Sequence, residues 1–438
     1  MSKNTPLTLS FFLICSFFTV ITSAQQFYLI DSTDTEFKEN LKQEYINRVK
    51  SQKKYFKKNL KPRKYRKEVI ALYEDSTEDF VEKIEAGQFV SQPAYDNFLT
   101  DVLAQLSKSN PEYPEIKDTK ILLSYGTTPN AYAIGDGIVV LYIPLIKKVQ
   151  NQYELAFILS HEIAHNLLEH SKNSLLTHAE LNTSKELKNK IKQLKREKYN
   201  RYAKARSIYK DFIYDYTEHS RAKEEQADSL GFVLFRNAYQ PHAYEAINSL
   251  TFLDEIDKAT DSLNDDDLQR YLSTPSSALR KELLKNNELA QYNYNDEISV
   301  FWNVDSLKTH KDCSIRAGVL QSQFNIEKDS VSLASAEFIT LQQSSAFNDL
   351  LGLYQIEEYG YSLYQSFLLL KQYPANPYIR EVIYKNLDKI ISAKRAYRLN
   401  DYVQRPSPSA PPSYNTFLYA INNLRLKELN QLKDFYKN

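Results

Sequence analysis

Five consecutive residues, His161-Glu162-Ile163-Ala164-His165, set two imidazoles four positions apart with a carboxylate beside the first. On an α-helix, positions i and i+4 lie about 40° apart on one face, so both rings reach a single cation. The residue at i+1, about 100° round, then faces whatever that cation binds. Zinc is the natural occupant, one ion per chain. The flanking AFILS and NLL segments mark a helix meant for burial, where two His and a Glu gain nothing unless something satisfies them.

A catalytic zinc takes three protein ligands and keeps a fourth position for water or substrate. The third is expected in SRAKEEQAD, residues 220–228, where Glu224 and Asp228 are again i and i+4. Glu224 is assigned as ligand, with Glu225 its competitor. Asp228 is assigned as acceptor for the ring N–H of a ligating histidine, which fixes that ring's tautomer. Arg221 either stabilises an oxyanion or pairs with acids near this helix, and the sequence leaves both open. His170, His178, His219 and His242 read as polar surface residues or as side chains behind the ligands. The chemistry such a set performs is peptide hydrolysis, with zinc as Lewis acid and Glu162 as the base that accepts a proton from the attacking water. An extended substrate needs an edge strand to lie against, and Ala131 to Val140 is the available one.

These residues need a frame, and the composition bounds it. Of 438 residues, 56 are Lys or Arg and 55 are Asp or Glu, a balance that excludes a dedicated nucleic-acid binder. A 42% hydrophobic content with 33 Tyr and 22 Phe lies outside the disordered range. Only eight Gly, with no GxGxxG or GxxxxGK, argue against a phosphate-cradling fold or a many-hairpin barrel. The basic run from Arg48 to Lys67 reads as a solvated helix face.

Residues 1–24 carry Lys3, the apolar run Leu7 to Ile21, and Thr22-Ser23-Ala24, which together read as a secretory signal cleaved before Gln25. The run is shorter than the ~20 residues of a spanning helix, and no later segment approaches that length, so the mature chain is expected to lack a transmembrane span. Its destination is then periplasmic or extracellular. Cys15 leaves with the leader, Cys313 stands alone, and no intrachain disulfide can form.

From Thr35 to about Ser109 the period is helical. ILLSY at 121–125 and IVVLYIPLI at 138–146 read as strands around the turn-rich Gly126 to Gly137. Glu154 to His170 is a buried helix. Ser184 caps a polar helix with the stripe Leu187, Ile191, Leu194, Tyr202, Ala205 and Tyr209. Further helices follow Gln240-Pro241, then a loop-like stretch at 260–312, then helices from about Ser330 to Arg395 broken by Pro374-Ala375-Asn376-Pro377. The helices on either side of that turn look like one degenerate tetratricopeptide unit. RPSPSAPPS at 405–413 reads as an extended linker before a last helix.

The chain resembles the HtpX-like zinc metallopeptidases, a family that includes the CAAX prenyl endopeptidases and soluble periplasmic BepA-like proteases with helical-repeat tails. The resemblance rests on Pro129-Asn130-Ala131-Tyr132-Ala133 followed by Gly137-Ile138-Val139-Val140, on Glu154-Leu155-Ala156 before His161 to His165, on residues 220–228, and on Thr309-His310 with Arg316. It implies His161, His165 and Glu224 as zinc ligands, Glu162 as base, and a gluzincin fold closest to the exported branch. In periplasmic relatives the histidine matching His310 can occupy the open metal position and hold the enzyme latent. The family's Thr-His-Pro here reads Thr309-His310-Lys311.

The expectation is therefore an α+β, mainly helical protein, with a gluzincin-type domain and small sheet over 25–325 and a helical region over 326–438. It would cleave protein or peptide substrates in envelope quality control and meet protein partners through its C-terminal helices. A latent, chaperone-like binding protein is the alternative, and Glu162 speaks against it, because a scaffold has no use for that carboxylate.

Overall fold

Between Lys120 and Tyr142 the sequence trades helical period for short aliphatic runs, which supply three strands of a four-stranded sheet. A computed structural model describes residues 27–31, 34–186, 188, 189, 192, 201–256, 262–284, 313–407 and 410–437, with backbone alone over 201–219. The strands are β1 (Phe89–Val90), β2 (Lys120–Ser124), β3 (Ala131–Gly135) and β4 (Ile138–Tyr142), in the order β1-β2-β4-β3. The β2–β4 pair is parallel and the two outer pairs are antiparallel.

Three sequence expectations are corrected here. β1 breaks the run expected to be all helix. The strand expected to reach Ile146 stops at Tyr142, because Pro144 cannot donate to a ladder and instead enters the first turn of a short helix. The edge strand is Ala131–Gly135 only, since β4 lies inside the sheet. Gly135, Asp136 and Gly137 turn the chain between the two with φ of 93°, 52° and 74°, left-handed values that glycine adopts without strain and aspartate more readily than most other residues.

Helices cover both faces of the sheet. On one side α1 (Thr35–Asn59) and α2 (Arg63–Glu85) place Leu41, Tyr45, Val49, Phe80 and Ile84 against Leu122, Ile138 and Val140. Val139 and Leu141 point the other way, into the main core. Burial on both faces is why β4 is apolar throughout rather than alternating. That main core draws on α3 (Pro93–Ser109), α4 (Ile143–Lys148) and α5 (Gln152–Leu167).

The α5 helix starts where the Asn151 side chain accepts the N–H groups of Tyr153 and Glu154, and every residue from Glu154 to Ala164 is buried. The sequence carries this helix to His170, but it ends at Leu167. Glu169, with φ of 52°, turns the chain, and His170 opens α6 (His170–Thr183). Next come α7 (Arg201–Tyr239), which crosses α5, and α8 (Glu245–Glu255). The stretch read as loop contains α9 (Asp265–Tyr271), held by a reciprocal cap between Asn264 and Asp267. α10 (Cys313–Phe324) completes the segment around the metal-ligand candidates.

The C-terminal region is helical, with α11 (Ala336–Gln355), α12 (Tyr359–Gln372), α13 (Pro377–Arg395), α14 (Pro412–Asn423) and α15 (Leu426–Tyr436). The single last helix expected after 405–413 is two, parted where Leu424 and Arg425 are extended. These helices share a second core with Leu263, Leu268 and Tyr271, so residues before position 325 belong to it as well. The first described residues also dock here. Tyr28 N–H donates to Ser344 Oγ at 3.0 Å, Ile30 N–H to Asn348 Oδ1 at 3.0 Å, and Asn348 Nδ2 to Tyr28 O at 2.8 Å. The Phe27 and Phe347 rings lie 4.1 Å apart.

The expected leader at 1–24, Leu187, Ile191, Leu194, Thr309, His310 and Lys311 lie outside the described residues, as do the side chains of Tyr202, Ala205, Tyr209 and His219. Among the described residues no helix is long and apolar enough to cross a membrane.

Candidate metal centre

One helical turn of α5 puts His161 and His165 on the face that α7 crosses, and one turn of α7 brings Glu224 and Asp228 to meet them. The crossing is close because of Gly231. A Cβ built there would fall 2.8 Å from His161 Cα and 2.9 Å from its N, so no larger residue fits without parting the helices. Sequence reasoning missed this glycine.

His161 Nε2 and His165 Nε2 lie 3.0 Å apart, and Glu224 stands over both, its oxygens 3.6 Å from the first and 3.5 Å from the second. One donor atom from each of the three falls within 4.8 Å of the others, and among the described residues no other His, Cys, Asp or Glu trio forms such a group. Glu225, the alternative ligand, is exposed and outside it. Asp228 Oδ1 is 2.9 Å from His161 Nδ1, on the far side of the ring. Glu162 is buried, with Oε1 4.0 Å from His161 Nε2, and the Ala133 main chain of β3 beside it favours the charged form of its carboxyl.

The arginine at these acids is Arg316 of α10. Its Nε and Nη2 donate to the two Asp228 oxygens at 2.6 Å each, and its Nη1 reaches Glu224 Oε2 at 2.9 Å. A guanidinium fork matches a carboxylate in this way and no other side chain does. Arg221, which the sequence offered for pairing with these acids, is exposed on α7. Arg316 entered the sequence reading only as part of a resemblance. Its partner lies 88 positions away, and no local pattern announces the pair.

Of the other histidines, His170 sits behind His165, with their Nδ1 atoms 2.9 Å apart. His242 is elsewhere, stacked on Tyr153 at 3.5 Å and bonded to Ser332. His178 lines a cavity with Tyr73 and Asp136 beneath α1 and α2.

Burial disfavours charge throughout the site, and neighbours decide which groups carry it. Against burial, Asp228 and Glu224 hold the His161 pKa up to about 10. Burial and the charge on His161 together push His165 down to about 3. Burial raises Glu162 to about 7, although His161 pulls the other way. Glu224 and Asp228 are lowered despite burial, by His161 and Arg316. Two ring nitrogens at 3.0 Å, each backed by a partner on its far nitrogen, with a carboxylate across from both, form a donor set that suits zinc.

Residues 96–310 match the model of Peptidase family M48. The chain belongs to that family. M48 peptidases are zinc metalloproteases, so the activity indicated is that of a metallopeptidase. The M48 match spans α5 and the Glu224 turn of α7 but ends before Arg316. No curated protein matches the chain.

Proposed function

We propose that this M48 chain is an exported zinc endopeptidase acting on protein substrates, of the soluble, BepA-like kind, with residues 25–325 as its catalytic domain. The observation that carries the reading is the convergence of His161, His165 and Glu224, with Glu162 on the adjoining face.

In this reading His161, His165 and Glu224 hold one zinc ion. Bound there, zinc supplies Lewis acidity toward a peptide carbonyl and toward water. Glu162 is the base. Buried beside His161, its carboxylate would take a proton from the attacking water and return it to the leaving amine. Asp228 orients the His161 ring, and Arg316 holds Asp228 and Glu224 in place. The β3 edge is the site at which an extended peptide would lie, next to Glu162 through Ala133. His310 would govern access to the fourth zinc position, and the C-terminal helices would receive protein partners in envelope quality control.

The test compares peptides released from an unfolded protein by the zinc-loaded chain and by Glu162→Gln. The wild type is expected to generate new N-termini and the variant to retain zinc without cleaving. Equal cleavage by both would reject the assignment. His310→Ala is expected to raise activity if that residue enforces latency.

A further inference from the structure

The two histidines of the metal centre are backed differently. His161 has a carboxylate behind its Nδ1, while behind His165 Nδ1 stands a third imidazole, that of His170 at 2.9 Å. On an uninterrupted helix His165 and His170 would sit about 140° apart and never meet. They meet because α5 ends at Leu167 and the left-handed Glu169 swings His170 back. The far nitrogen of His170, Nε2, lies 3.1 Å from Gln226 Oε1, on the turn of α7 that carries Glu224 and Asp228.

We propose that His170 and Gln226 form a hydrogen-bond relay that sets the tautomer of His165. The inference rests on the zinc-site reading above. A neutral imidazole has one N–H and one lone pair. If the His165 Nε2 lone pair faces the metal, its proton is on Nδ1 and must be donated. His170 Nδ1, 2.9 Å away, is then the acceptor, which puts the His170 proton on Nε2, where Gln226 Oε1 accepts it. Each link allows only that direction. The opposite polarity, with Gln226 donating, would protonate His165 on Nε2 and deny the metal its lone pair. His170 is thus a positioning residue that acts through His165.

Partners of this kind typically alter metal affinity 10–100-fold when removed. The test is zinc affinity of the full chain, read by competition with a chromophoric chelator and by the visible spectrum of the cobalt-substituted protein. His170→Asn places an amide oxygen near the former Nδ1 and is expected to bind zinc within a few-fold of wild type. His170→Gln and His170→Ala leave His165 Nδ1 without an acceptor at that point, and both are expected to bind about 10–100-fold more weakly. Gln226→Glu, which can only accept, is expected to keep wild-type affinity, and Gln226→Leu to lose part of it.

Wild-type affinity in His170→Ala would overturn the relay, as would His170→Asn falling as far as His170→Gln. A wild-type chain that binds no zinc would overturn the metal centre and the relay together. Zinc binding that is lost in Glu224→Ala but indifferent to every His170 variant would overturn the relay alone.

Discussion

Arg316 holds Asp228 through both carboxylate oxygens, at 2.6 Å each, with the two side chains 7% and 4% exposed. The same guanidinium reaches Glu224, so one residue of α10 fixes both acids of α7. Removing one partner of a buried pair leaves an uncompensated charge and costs about 3–5 kcal/mol. Arg316→Ala is expected to destabilise the protein by that order and to weaken zinc binding. Arg316→Lys, which cannot form the two-pronged bond, should recover only part of the loss. Thermal unfolding and metal titration of the two variants check this, and a wild-type midpoint in Arg316→Ala would refute it.

Glu224→Ala is expected to abolish zinc binding and Glu225→Ala to leave it intact, because only Glu224 lies over both His161 and His165. Metal content of the purified variants decides, and the reverse order would move the ligand by one residue.

Gly231→Ala would place a methyl 2.8 Å from the His161 backbone, where no flexible side chain can yield. Overpacking of this sort costs about 1–3 kcal/mol. Because the displaced atoms belong to a proposed zinc ligand, zinc affinity should fall along with stability. A variant as stable and as tightly binding as wild type would show that the helices can part freely.

Stability should also carry a pH signature from Glu154, whose carboxyl is buried in α5 and raised from 4.5 to about 7, chiefly by burial. The folded state favours the protonated form, so this contribution is complete below pH 4.5 and is lost as pH rises through about 7. At pH 8 Glu154→Gln should be more stable than wild type by up to about 3 kcal/mol, with little difference at pH 4.5. Unfolding midpoints at the two pH values test the sign, and a variant less stable at pH 8 would contradict it.

Much of the centre was legible because its parts are local. His161, Glu162 and His165 share one helical turn, as do Glu224 and Asp228, and a period of 3.6 residues translates such spacing directly into a shared face. What stayed hidden depends on distant chain. Arg316 is indistinguishable from any other arginine until α10 packs on α7. Gly231 matters only where two helices cross, and His170 only because Glu169 breaks a helix that apolar content alone would continue. The helical character and the small sheet followed from periodicity. β1, two residues long, offered too little pattern to read.

The docking of Tyr28 and Ile30 onto Ser344 and Asn348 joins segments about 320 positions apart. A ribosome delivers one of them near the start of synthesis and the other only when nearly four-fifths of these 438 residues exist, so the earliest described residues wait, unsatisfied, for a late helix. Cutting away α11 to α15 would therefore not yield a tidy shorter protein. It would strip Phe27 of its aromatic neighbours and leave three main-chain groups near the opposite terminus seeking water.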